Sequence, residues 1–177
     1  IYSPEEMGVF ALYMSMVTVI SVIATGRYDL AIILPKTNTE AVNLVMVAMT
    51  ITLVVSLLLL GVVIIFKEPI CVLLGNPDIG NWLLFVPLSV LLTGGYQSLN
   101  CWSNRRKHYK RIAVSRVVQS SAMCSTHVGA GFAGAGATGL IGGAIAGQLV
   151  STLALGRMIW TEDQTLLKKI RRKRVWG

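Results

Sequence analysis

The chain has 177 residues, 54% of them hydrophobic and 14% charged, with 16 Lys and Arg against 8 Asp and Glu and a net charge of +8. So much apolar side chain leaves too little polar surface for a soluble domain of this length. The excess of positive charge is explained by membrane topology and by attraction of basic segments to anionic lipid, so nucleic acid is not expected as a partner.

Uncharged stretches cover residues 7–26, 41–66, 79–104 and 117–156. A membrane-spanning helix needs about 20 predominantly apolar residues. The first three stretches fit one crossing each. The fourth is twice as long, and its glycine-rich middle, Gly129-Ala-Gly-Phe-Ala-Gly-Ala-Gly-Ala-Thr-Gly139, predicts a turn between two helices. The expected fold is therefore all-α, one polytopic helical bundle over residues 1–177, with spans at about 5–26, 41–66, 80–102, 112–131 and 138–157 and a basic tail over 158–177.

In chain order, Ser3, Pro4 and Glu6 make a capping box with proline at the first helical position, so the first helix starts near Pro4. No breaker follows until Pro35, which places Arg27 and Asp29 at its inner end. Thr37-Asn-Thr-Glu40 is a second box match and predicts a second helix from about Asn38 to Phe66. Residues 67–80 read as an outer connection of turn residues with a short apolar piece in the interface. Pro87 falls inside the third helix and predicts a kink there. Trp102 and Trp160 are expected at the inner boundary as aromatic anchors. The chain opens on Ile1 at what reads as the outer end of a helix, so a preceding crossing is expected and the sequence reads as a fragment.

Threading these spans puts fifteen of the 16 Lys and Arg on one side and Lys67 alone on the other, while the 8 acids divide evenly. By the positive-inside rule the basic loops face the cytoplasm, which sets the N-terminus of this piece in the periplasm and its C-terminus in the cytoplasm of a bacterial inner membrane. For the runs over residues 105–111 and 168–174 the default expectation is a solvated positive face. Cys71, Cys101 and Cys124 have no paired spacing, and His108 and His127 lack neighbours at ligand spacing, so no disulfide framework, metal or cofactor is expected.

Three features could carry function. Gly139, Gly143, Gly147 and Ser151 recur every four residues on one helix face, a pattern that lets membrane helices approach closely, and packing inside the bundle is the reading adopted for it. Asn43, Gln97, Asn100 and Gln119, with Thr50, Thr52, Ser56, Tyr96, Ser120, Ser121 and Gln148, are polar groups within apolar spans. Each either bonds between helices or lines a cavity, and as a set they favour a hydrophilic interior. Arg27 with Asp29, and Arg116, are either boundary anchors or cavity groups, where a guanidinium fork could hold an anionic headgroup. The sequence offers no nucleophile with a placed base, no phosphate-cradling glycine loop and no acidic cluster, so an enzyme is not expected.

Tyr2-Ser-Pro-Glu-Glu-Met-Gly-Val-Phe10, Arg27-Tyr-Asp-Leu-Ala-Ile-Ile-Leu-Pro-Lys36 with Glu40 and Ala41, and the stretch from Pro87 through Gln97, Trp102, Arg105 and Lys107 to Ser115-Arg-Val-Val-Gln-Ser120 resemble polysaccharide biosynthesis membrane proteins. These are the O-antigen and exopolysaccharide flippases of the superfamily that includes multidrug and toxin extruders. The likeness covers about residues 1 to 157 and is most specific over 27–36. It implies a transporter of two pseudo-symmetric bundles, of which this chain would supply the second to sixth helices. Its activity would be flipping of a polyprenyl-pyrophosphate-linked oligosaccharide by alternating access. Membrane lipid, the lipid-linked oligosaccharide, and polysaccharide polymerases or glycosyltransferases would be its partners. Departures are the missing opening helix, the missing second bundle and the basic ending over 166–177, so a piece without transport activity of its own is expected. The alternatives are a small-molecule or drug exporter of the same fold, which an acidic residue inside a span would favour, and a non-transporting subunit of a polysaccharide assembly complex.

Overall fold

The computed structural model describes the backbone of residues 2–25, 31–35, 37–74 and 79–175, and side chains for the same residues except 73, 74, 81 and those from 163 onward. The described elements are all helical: α1 (Pro4–Thr25), α2 (Asn38–Leu74), the single turn α3 (Gly80–Leu83), α4 (Val86–Arg105), α5 (Tyr109–Phe132) and α6 (Gly136–Val175).

The start of α1 is fixed as its sequence dictates. Ser3 N donates to Glu6 Oε2 at 2.8 Å, and Glu6 N donates to Ser3 Oγ at 3.2 Å. Two of the orphan amides of a helix N-terminus are thereby satisfied reciprocally. One stripe of α1, Val9, Tyr13, Val17, Ser21 and Ala24, is buried, while Met7, Leu12, Val19, Val22 and Ile23 point outward. A helix apolar on all sides, with only one stripe packed, presents the remainder to hydrocarbon.

The second helix also begins where its cap predicts, with Glu40 N donating to Thr37 Oγ1 at 3.4 Å. Its end differs from the expected stop at Phe66. Pro69 cannot donate to the carbonyl four residues back and crowds it, and Phe66 takes non-helical angles (φ −108°, ψ 22°), yet the chain bends and continues helically to Leu74. Much of the outer connection is therefore helix, and residues 75–78 lie outside the described part. Small buried side chains, Ala41, Ala48, Thr52 and Ser56, form the inner seam of α2 and allow close approach to α4.

Pro87 does not kink the interior of one helix spanning 80–102. It sits in the first turn of α4, and the helix is split at Leu84 and Phe85, with Phe85 N donating to Trp82 O at 2.9 Å. The missing amide of Pro87 would have served the carbonyl of Leu83, so the interruption falls in the turn just before the proline. Ser56 Oγ donates to Pro87 O at 2.6 Å, which ties α2 to this start.

The glycine-rich segment turns the chain between α5 and α6, with Gly134 (φ 68°) and Gly136 (φ 55°) in left-handed conformations that a side chain would resist. α6 then departs from expectation by running unbroken past Arg157 to Val175. No proline follows Gly136, and the residues after Arg157 are mostly good helix formers, so nothing local stops it.

α4 packs against α1, α2, α5 and α6, and the α5–α6 hairpin is the most extensive helix pair. Buried residues form two clusters. One joins Tyr13, Val17, Val63, Leu83, Val90 and Ile141, and the other joins Ile32, Ala48, Tyr96, Trp102, Leu155 and Ile159. Trp102 is 3% exposed within the second cluster, so of the two tryptophans expected as boundary anchors only Trp160 faces outward. Three helical segments, Pro4–Thr25, Asn38–Val72 and Gly136–Glu162, are long and apolar enough to cross a membrane. At 20 and 24 residues α4 and α5 have the length for a crossing too, but they carry more polar side chains.

Candidate functional site

Polar groups follow the helix contacts from one end of the bundle to the other. Near one end Tyr2 Oη donates to His127 O at 2.6 Å, and His127 Nε2 lies 2.9 Å from Leu140 O, which stitches the α1 entry to the hairpin. Tyr13 Oη and Ser89 Oγ are 2.6 Å apart between α1 and α4. Midway, Tyr96 Oη lies 3.1 Å from Ser115 Oγ, and Gln119 Nε2 donates to Gln148 Oε1 at 2.6 Å. Each pairing removes a polar group from contact with hydrocarbon, where an unmade bond is costly.

The far end is cationic. Arg105, the last residue of α4, reaches back to the connection between α1 and α2: its terminal nitrogens donate to Ile33 O at 3.0 Å, Ile32 O at 3.5 Å and Thr37 O at 3.2 Å. Arg111 is 4% exposed and bonds the carboxylate of Glu162 at 2.5 Å. The run 105–111 is therefore not a uniformly solvated face. Lys107 and Lys110 are exposed, whereas Arg105 and Arg106 are half-buried and Arg111 is buried.

The expected site residues are distributed as follows. Arg27 and Asp29 lie outside the described residues. Asn43 lines a shallow hollow of about 550 Å³ with Ala31, Leu34, Pro35, Glu40 and Leu44, on the connection that follows the 27–36 segment. Gln97 and Asn100, three residues apart on α4, are respectively exposed and half-buried, and Arg116 is exposed on α5. Gln119 is held by Gln148. The hollow at Asn43 includes none of Gln97, Asn100, Arg116 or Gln119.

Gly139, Gly143 and Gly147 all face α5. A Cβ at Gly139 would press on Ala130, one at Gly143 on the His127 ring, and one at Gly147 would come within 3.1 Å of Gln119 O. Ser151 completes the row, fully buried, with its hydroxyl donating to Gln148 O at 2.9 Å.

Sequence reasoning did not find the Arg105 clamp, the Arg111–Glu162 pair or a hollow of about 590 Å³ lined by Ser3, Glu5, Glu6, Trp82 and the hairpin turn. These sites join residues far apart in the chain, and no local spacing marks them.

Helices of crossing length, apolar outward and polar along their contacts, define an all-helical membrane protein. The chain belongs to the polysaccharide biosynthesis protein family, whose model matches residues 1–174. No curated protein and no solved structure matches it.

Proposed function

We propose that the chain is part of a transporter that moves a polyprenyl-pyrophosphate-linked oligosaccharide from the cytoplasmic to the outer leaflet of the bacterial inner membrane, in O-antigen or exopolysaccharide synthesis. The observation that carries this reading is membership of a polysaccharide biosynthesis family by a chain with helices long and apolar enough to cross a bilayer. A sugar assembled on a lipid carrier at the inner face must pass hydrocarbon, and a path needs apolar outer surfaces with polar groups between helices. The step is conformational rather than catalytic: ligand biases two cavity states, and no covalent bond changes. In this reading five helices cross the membrane and the basic loops face the cytoplasm. Arg27 offers its guanidinium fork to the pyrophosphate with Asp29 orienting it, and Asn43, Gln97, Asn100 and Arg116 contact sugar or water. Polymerases or glycosyltransferases of the same process would supply and consume the ligand.

The test is rescue of surface polysaccharide in a strain lacking its flippase and making the matching sugar repeat, using the whole transporter that carries this chain. Arg27→Ala is expected to abolish rescue and Arg27→Lys to retain part of it, because a point charge survives without the fork. Full rescue by Arg27→Ala at equal protein level removes Arg27 from the site. No rescue by the unaltered protein refutes the transport reading.

A further inference from the structure

The turn from α4 into α5 encloses a hollow of about 490 Å³ lined by Asn38, Asn104, Arg105, Arg106, Lys107 and Tyr109, with Ile33 at its edge. Three of these residues are cations, and among the described lining residues there is no carboxylate. Two helix beginnings meet here, α2 at Asn38 and α5 at Tyr109, and the positive ends of both helix dipoles add to the charge. The N-cap of α5, His108, makes no side-chain capping bond.

Two details separate this hollow from an ordinary basic turn. Lys107 adopts φ 58° in a helix ending closed by Lys107 N to Asn104 O at 2.9 Å and His108 N to Ser103 O at 3.0 Å. Glycine is the usual occupant of that position, because any Cβ is strained there. A lysine in glycine's place adds a cation to the lining of the hollow at a cost in local strain. Arg105 Nε is buried without a hydrogen-bond partner, while the terminal nitrogens of the same guanidinium hold backbone carbonyls. That nitrogen has no exposed surface for a ligand atom to touch, so Arg105 contributes charge to the wall of the hollow rather than a bond.

We propose that this hollow binds the phosphate of an anionic membrane lipid. Arg105, Arg106 and Lys107 supply the charge, the Tyr109 hydroxyl adds a donor, and the acyl chains lie against the neighbouring apolar surface. That surface is what favours an amphiphile over a free phosphate ion: Ile33, at the edge of the hollow, is 43% exposed, and Leu34 beside it is 80% exposed. Cation and grease side by side match a headgroup and the first methylenes below it. The inference is independent of whether the chain transports anything.

The test uses the 177-residue chain in detergent micelles, with native mass spectrometry of bound lipid in an equimolar mixture of phosphatidylglycerol and phosphatidylcholine. Phosphatidylglycerol is expected to be retained preferentially, and Lys107→Gly and Arg106→Gln each to reduce that preference about fivefold, the share of one cation near an anionic headgroup. Lys107→Gly separates binding from folding, since relief of the left-handed strain should leave the melting temperature equal or higher while binding falls. Equal retention of the two lipids by the unaltered chain overturns the proposal, and so does undiminished preference in both variants. Displacement of phosphatidylglycerol by millimolar inorganic phosphate or pyrophosphate would assign the hollow to a soluble phosphate and overturn the lipid reading.

Discussion

Gly147 on α6 faces the backbone of α5 in the hairpin. A methyl group there would meet Gln119 O at 3.1 Å, Met123 Cβ at 3.1 Å and Met123 N at 3.4 Å. A main-chain carbonyl cannot rotate aside, so α5 and α6 must separate by some tenths of an ångström along the largest contact in the bundle. Overpacking of this kind costs about 1–3 kcal/mol, set against about 0.8–1.0 kcal/mol gained by replacing a helical glycine with alanine. Gly142, on the same helix, has nothing within 4 Å of an added Cβ, so there the propensity gain stands alone. The propensity contribution cancels between the two positions, and Gly147→Ala should be less stable than Gly142→Ala by about 1–3 kcal/mol. For a chain of this size that is a difference of about 2–12 °C in melting temperature. Thermal unfolding of the purified variants in detergent, followed by far-ultraviolet circular dichroism, measures it. If Gly147→Ala melts at or above Gly142→Ala, the ladder does not pack within the bundle. A loss of dimer on size exclusion without a change in melting would assign it to contact between copies.

Other contacts make separate predictions. Replacing Glu162 by leucine leaves the buried Arg111 guanidinium without its carboxylate, and since Glu162 is 52% exposed the full penalty of a buried pair is discounted to about 1–2 kcal/mol. A melting temperature unchanged from the parent would show that the pair contributes nothing. Gln119→Leu and Gln148→Leu should each destabilise by about 1 kcal/mol by stranding the other amide, while the double variant recovers part of the loss. Strict additivity across the double-mutant cycle would rule out the bond.

What the sequence made legible was local. The Ser3–Glu6 box, the start of α2 at Asn38 and the glycine turn each depend on residues within one or two turns of each other, and backbone chemistry alone specifies them. The two prolines were harder. Pro87 was read inside a helix and instead opens one, while Pro69, read as part of a loop, is carried within a bent helix. A proline fixes where a backbone bond is lost, but packing on either side decides whether the helix stops, bends or restarts. The cationic end was the least legible. Arg105 binds carbonyls 72 and 68 residues earlier, and Arg111 binds an acid 51 residues later, so both looked like solvated charges until the fold brought their partners to them. The intramembrane amides were recognised as a set, yet which of them pair is set by the hairpin register: Gln119 meets Gln148 because the α5–α6 turn places them opposite each other.

Arg105 ties a local helix ending to a segment distant in the chain. It closes α4, the helix that touches α1, α2, α5 and α6, and its guanidinium holds the segment that joins α1 to α2. Among the described residues of that segment Leu34 N donates to Ala31 O at 3.2 Å, and the planar fork adds bonds to Ile33 O and Thr37 O. Lysine keeps the charge but has a single ammonium, which cannot span the carbonyls of Ile33 and Thr37 together. Charge-assisted bonds contribute about 1.5–3 kcal/mol each when sheltered, and with both acceptors partly exposed a net loss near 1.4 kcal/mol is the reasonable figure for Arg105→Lys. That corresponds to about a tenfold acceleration of amide hydrogen exchange over residues 31–40, with exchange in the centres of α1 and α4 unaffected. Equal exchange in the two proteins would mean that the connection is ordered by its own contacts and that Arg105 merely rests against it. Uniform acceleration across all helices would mean that the arginine stabilises the whole bundle rather than this joint.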